Sequence, residues 1–96
     1  MKIPEKVKVG GRVYTVEITE NISLGSNYTG EIDYTKLVIR VRPMAQAKME
    51  HDFIHELFHA MYDHCGYSEH TEEVADRFAA ILHAIVCDNP EMFSEK

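Results

Sequence analysis

Apolar and polar residues alternate along roughly the first forty positions and then switch to helical spacing. Val7 and Val9 alternate with lysines in residues 3–9. Gly10-Gly11 reads as a tight hairpin turn into residues 12–19, where Tyr14, Val16 and Ile18 alternate with Val13, Thr15 and Glu17. Residues 20–27 hold loop formers. A second hairpin is predicted from residues 28–33, through a turn near Tyr34-Thr35-Lys36, into residues 37–41. The run Leu37-Val38-Ile39-Arg40-Val41 is the strongest strand pattern in the chain, and Pro43 ends it.

From about Met44 the apolar period lengthens to 3.6. Ile54, Leu57, Phe58 and Met61 form one stripe, and Gly66 is a natural stop. Ser68 or Thr71 can cap a second helix, with Glu69, Glu72 and Glu73 where the helix dipole favours acids. Val74, Phe78, Ile81, Leu82 and Ile85 give that helix an apolar face, which is expected to pack on the rest of the domain. Asn89-Pro90 closes it, and the tail can add one more turn. Strands followed by helices predict an α+β fold, a small antiparallel or mixed sheet packed against two long helices. The expected organisation is a single domain over residues 1–96. It comprises a β-rich part (1–43), a two-helix part (44–89) and a tail (90–96).

Length and charge narrow the picture further. Ninety-six residues can build one modest core but not two. The net charge of −6 is uneven: residues 1–48 carry eight basic and five acidic groups, residues 49–96 two basic and eleven acidic. An acidic helical half favours cations and opposes phosphate backbones, so no nucleic-acid partner is expected. Cys65 and Cys87 match no C-x-x-C or finger spacing. No apolar run reaches the length of a signal peptide or membrane span, so the expectation is a cytoplasmic protein with reduced thiols and no membrane partner.

The chemistry concentrates in His55-Glu56-Leu57-Phe58-His59. Histidines four apart share a helix face and can reach one metal ion, and the adjoining Glu56 is then placed to take a proton from a water on that metal. Shuffling this composition would produce H-E-x-x-H in about 4 of 100 chains, so the motif requires a third ligand to carry weight. Glu72 is the best candidate. Glu72 and Asp76 lie four apart on the next helix, so Glu72 can coordinate while Asp76 accepts an N–H from a ligand histidine. Helix-dipole complementation accounts for Glu72 and Glu73 equally well, but less readily for Asp76, which lies past the first turn.

Other third ligands remain open on spacing. The pattern H-E-x-x-H-x-x-G-x-x-H fails twice, because Tyr62 stands at the glycine position and Cys65 at the last histidine. Tyr62-Asp63-His64 brings His64 five residues after His59, one short of the spacing in rRNA-maturation endoribonucleases. His70 can ligate from the inter-helix connection, and Cys65 can offer a thiolate. His51 shares the histidine face but is better placed as a supporting or surface group. His83 is expected to be a partly buried core histidine or to line the cleft.

H-E-x-x-H on one helix and E-x-x-[small]-D on the next resemble the gluzincin arrangement of zinc peptidases. The run Glu72-Glu73-Val74-Ala75-Asp76-Arg77-Phe78-Ala79-Ala80 is similar to the E-x-x-A-[ND]-x-F-A-A run of the ImmA/IrrE metallopeptidases, often carried on phages and mobile elements of prokaryotes. In length and element order the chain looks like the minimal gluzincins. The likeness covers residues 44–88 well and extends over 1–43 only as a β-rich stretch.

The resemblance implies one Zn2+ held by His55, His59 and Glu72, with Glu56 as general base and acid and Asp76 behind a ligand histidine. The chain departs from larger gluzincins in its short link between helices and in having no substrate-binding lobe after the second. Their oxyanion-steadying residue has no clear counterpart here; Tyr62, Tyr67 and His70 are candidates. The expected function is a zinc metalloendopeptidase acting on peptide or protein substrates, with residues 37–41 as an edge strand for an extended peptide. The alternative is a metal-binding regulatory or interaction module with a latent or inactive zincin site.

Overall fold

The structure is a computed structural model of the chain, and it describes residues 1–67 and 71–93. Among the described residues four strands, β1 (Lys6–Val9), β2 (Arg12–Ile18), β3 (Gly30–Asp33) and β4 (Val38–Val41), precede two helices, α1 (Gln46–His64) and α2 (Glu72–Asp88). A 3-10 turn, Pro90–Phe93, follows. The architecture is α+β, as the order of apolar patterns predicts.

Both hairpins form, and each has a local cause. Val9 pairs with Arg12 across Gly10-Gly11, whose φ of +57° and +95° suit the two-residue turn that matches strand twist. Gly10 has a second reason to lack a side chain, because a Cβ there would collide with the His64 imidazole. In the second hairpin the Asp33 carboxylate accepts from the Thr35 and Lys36 amides, both at 2.9 Å. Leu37 completes that turn in the left-handed region (φ 56°), so the strand begins at Val38 rather than Leu37.

The sheet is mixed. Its order is β1-β2-β4-β3, with β2 and β4 parallel and the other two pairs antiparallel. This corrects the expected edge strand: the strong apolar run of β4 is central, and the edge beside the site is β3. Physical sense supports the exchange. Ile39 and Val41 of β4 are fully buried under the helices, whereas Gly30-Glu31-Ile32-Asp33 has the polar sequence of an edge.

Tyr14, Ile39 and Val41 from the sheet meet Phe53, Ile54 and Ala60 of α1 and Ala79 of α2 in one core. The two helical stripes fare differently. On α1 Ile54 is buried and Leu57 and Phe58 are half-buried against the core, as expected, with Phe53 and Ala60 buried beside them and Met61 exposed. On α2 Leu82 is half-buried against the core, but the large residues Phe78, Ile81 and Ile85 face solvent, and the fully buried positions are Ala75 and Ala79. The face turned to α1 is thus the small and polar one, a matter of consequence for the site. Helix ends follow the sequence signals. Gly66 stops α1 with φ +84°, and the Thr71 hydroxyl caps α2 by accepting from the Val74 amide at 3.1 Å. Ser68 and Glu69 lie outside the described residues.

The loop before β3 is anchored by the Arg42 guanidinium, which donates to the Glu20, Gly25 and Tyr28 carbonyls, and by one buried carboxylate. Glu31 accepts from the Ser23 and Leu24 amides at 3.1 Å each and from the Arg40 guanidinium at 2.9 Å. Burial pushes its carboxyl up, but these three donors together hold it below the ordinary value of 4.5. A depressed folded-state value means stability that is complete above about pH 4.5 and is lost as pH falls through the folded value. Glu31→Gln is therefore expected to cost about 1.5–3 kcal/mol at pH 7, the range for hydrogen bonds to charged groups. Denaturant unfolding at a series of pH values checks it, with the gap from wild type closing in acid; a gap independent of pH would contradict the assignment.

Candidate metal centre

Antiparallel packing of α1 and α2 brings the sequence-predicted ligands together. His55 and His59 project from one face of α1, one turn apart, and Glu72 reaches them from the first residue of α2. Glu72 Oε2 lies 2.8 Å from His55 Nε2, and Oε1 lies 3.0 Å from His59 Nε2. The two histidine Nε2 atoms are 3.1 Å apart. Asp76, one turn further along α2, places Oδ1 3.3 Å from His55 Nδ1. With Nδ1 donating to Asp76, the Nε2 lone pair of His55 points at a carboxylate oxygen and at a second imidazole nitrogen. Such converging acceptors require a shared proton or a cation.

The donor set suits a zinc-class ion. Tetrahedral coordination at about 2.0–2.2 Å puts neighbouring nitrogen and oxygen ligands about 3.3 Å apart, and the observed separations are within half an ångström of that. His55, His59 and Glu72 form one of two groups of potential ligand atoms within 4.8 Å of one another among the described residues. Glu72 itself is exposed, yet its carboxyl is held below the ordinary value: burial opposes this, and the hydrogen bond and charge of the two histidines outweigh it.

Glu56 is a different kind of carboxylate. It is 7% exposed and is pushed up to about 8, first by burial and then by the negative charges of Glu72, Asp52 and Glu31. Burial and these charges thus favour the protonated carboxyl. A cation on the three ligands acts the other way, favouring the carboxylate. Asp52, also buried, is held by Lys48 through Oδ1, and its Oδ2 has no hydrogen-bond partner among the described residues. His51 bridges Asp52 and Asp76 at 3.4 Å to each, a supporting position rather than a ligand one.

Edge strand β3 closes the other wall. A Cβ at Gly30 would lie 3.1 Å from Glu56 Oε2, so the absence of a side chain lets the strand run close against this carboxylate. Two depressions meet at Glu56 and Glu72. One continues past His55, Asp52 and Lys48, the other past His59, Ile32 and Tyr34. Tyr28 borders both.

Several sequence candidates lie elsewhere. His64 packs beneath the β1–β2 turn at Gly10, away from the other two histidines. Tyr67 stacks edge-on with Tyr62 and borders an apolar depression with Phe58, Met61 and Cys65. His83 pairs with Glu50 at 2.7 Å and does not line the cleft. His70 lies outside the described residues. Sequence reasoning passed over Tyr34, whose hydroxyl lies 3.4 Å from the His59 carbonyl oxygen and whose phenol is pushed up to about 12, chiefly by burial. Its only signal was its place in the turn that ends β3.

No protein-family model, curated protein or solved structure matches the chain. No helix among the described residues is long and apolar enough to cross a membrane.

The geometry separates the roles of the two glutamates. If His55, His59 and Glu72 hold zinc, Glu72→Ala is expected to weaken its binding by about 100-fold or more, beyond the cost of losing an outer partner alone. Glu56→Gln should bind zinc within a few-fold of wild type. Competition titration with a chelating indicator measures both, and equal affinity in wild type and Glu72→Ala would remove Glu72 from the ligand set.

Proposed function

We propose that the chain is a zinc-dependent endopeptidase of gluzincin type, acting on peptide or protein substrates. The observation that carries this reading is Glu56: a buried carboxyl, not needed as a ligand, at the junction of two depressions beside His55, His59 and Glu72. A purely structural ion has no use for such a group. Bound zinc would supply Lewis-acid polarisation of the scissile carbonyl and ionisation of a water near neutral pH.

The chain's own residues do the rest. Glu56 accepts the attacking water's proton and passes it to the leaving nitrogen, and its desolvated setting raises its basicity toward the working pH. Asp76 fixes the His55 tautomer by accepting from Nδ1. Tyr34, a phenol that stays protonated through neutral and mildly alkaline pH, is the hydroxyl we assign to donate to the developing oxyanion. Strand β3 pairs with β4 along one side within the sheet, which leaves its outer side for an extended substrate backbone. The depressions on either side of Glu56 favour cleavage within a chain over removal of a terminal residue.

A regulatory module with a latent site is the second reading. It draws on the apolar surface of Phe78, Ile81 and Ile85 along α2, which suits binding to another protein.

Cleavage of unstructured proteins separates the two. Glu56→Gln is expected to keep its zinc and lose about 10²–10⁴-fold in rate. Tyr34→Phe should lower kcat by about 100-fold with little change in KM, whereas Tyr67→Phe should leave both unchanged. Zinc-loaded wild type that cuts nothing in a broad peptide library would overturn the peptidase reading in favour of the module.

A further inference from the structure

At the opposite end of the helix pair, a second set of donor atoms converges. Glu50 of α1 is 6% exposed, and its Oε1 lies 2.7 Å from His83 Nε2 of α2. Cys87, one turn beyond His83, places Sγ 3.4 Å from the same nitrogen and 3.9 Å from the same oxygen. Gln46 holds the other Glu50 oxygen at 2.8 Å, which fixes the carboxylate's orientation. The Met1 amino group lies 3.7 Å from Oε1.

These three side chains invite comparison with a thiol–imidazole–carboxylate triad, and the geometry argues against it. A triad needs the thiol on one ring nitrogen and the carboxylate on the other, so that the imidazole relays a proton between them. Here both address Nε2. Three donors aimed at one point is the arrangement of a coordination site. For tetrahedral zinc, bond lengths of about 2.3 Å to sulfur and 2.0–2.2 Å to nitrogen and oxygen put the S–N and S–O edges at about 3.5 Å and N–O at about 3.3 Å. The observed edges differ from these by no more than about 0.6 Å.

The build repeats that of the first centre with the helices exchanged. There, α1 supplies an i, i+4 pair and α2 the glutamate; here, α2 supplies the pair and α1 the glutamate. We propose that Glu50, His83 and Cys87 form a second cation site for a zinc-class divalent ion, tying the start of α1 to the end of α2. A thiolate with imidazole and carboxylate selects borderline-soft ions such as Zn2+ and Co2+ over Mg2+ or Ca2+. Binding releases the Cys87 thiol proton to solvent and leaves a fourth position for water or another donor. The proposal stands apart from the peptidase reading, since none of its residues lines the cleft at Glu56.

Titration of the metal-free full chain with Co2+ tests it, because only a thiolate ligand gives sulfur-to-cobalt charge-transfer absorption in the near ultraviolet. Wild type is expected to bind two equivalents, one of which develops that band. Cys87→Ser, a near-isosteric change at an exposed position, should abolish the band and leave one equivalent. His83→Ala should weaken the band-forming equivalent by about 100-fold or more. Cys65→Ser should leave the band intact, and His59→Ala should lose the other equivalent while keeping the band. A band absent from wild type, or one that survives Cys87→Ser, would overturn the proposal. Circular dichroism of each metal-free variant confirms that the helices remain.

Discussion

Close approach of α1 and α2 is the constraint on which the rest depends. Ala75 and Ala79 are fully buried where α2 meets α1, and Ala60 is buried on α1. Small side chains let two helices pack near enough for short polar groups to bridge them. Glu72, Asp76, His83 and Cys87 share this α1-facing side of α2, and each finds a partner on α1. A helix that buried Phe78, Ile81 and Ile85 instead would be rotated about its axis and would carry these groups away from His55, His59 and Glu50.

Charge follows from that packing. Carboxylates crowd the cleft, and most are compensated: buried Glu31 by Arg40 and two amides, buried Asp52 by Lys48, exposed Glu72 by two imidazoles. Glu56 sits among them with burial and three negative neighbours all acting to keep its proton on. In water such a residue would be an ordinary weak base. In this setting it gains proton affinity, first from burial and then from its acidic neighbours.

The sheet supplies orientation more than chemistry. Central placement of β4 anchors the core through Ile39 and Val41 and leaves β3, with Gly30, to run against Glu56. The loop of residues 20–27 is tied to Glu31 of the same strand at Ser23 and Leu24, and Arg42 holds the carbonyls of Glu20, Gly25 and Tyr28, which fixes Tyr28 at the cleft.

Much of this was legible in the chain because it is local. Hairpin turns at Gly10-Gly11 and residues 34–37, the Thr71 cap, the Gly66 stop and the histidine pair on one helix face all follow from spacing and backbone preference over a few residues. Strand order, the inward face of α2, the place of Tyr34 and the meeting of Glu50 with Cys87 are not local. An apolar stripe states that some face wants burial, and it does not state which of two competing faces a small domain has room to cover. Here α2 buries Ala75 and Ala79 and leaves Phe78, Ile81 and Ile85 outside. By itself the sequence determined the elements and named His55, Glu56, His59 and Glu72. Only the tertiary structure decided how close α2 comes to α1, and ligand geometry depends on interatomic distances that helical periodicity does not contain.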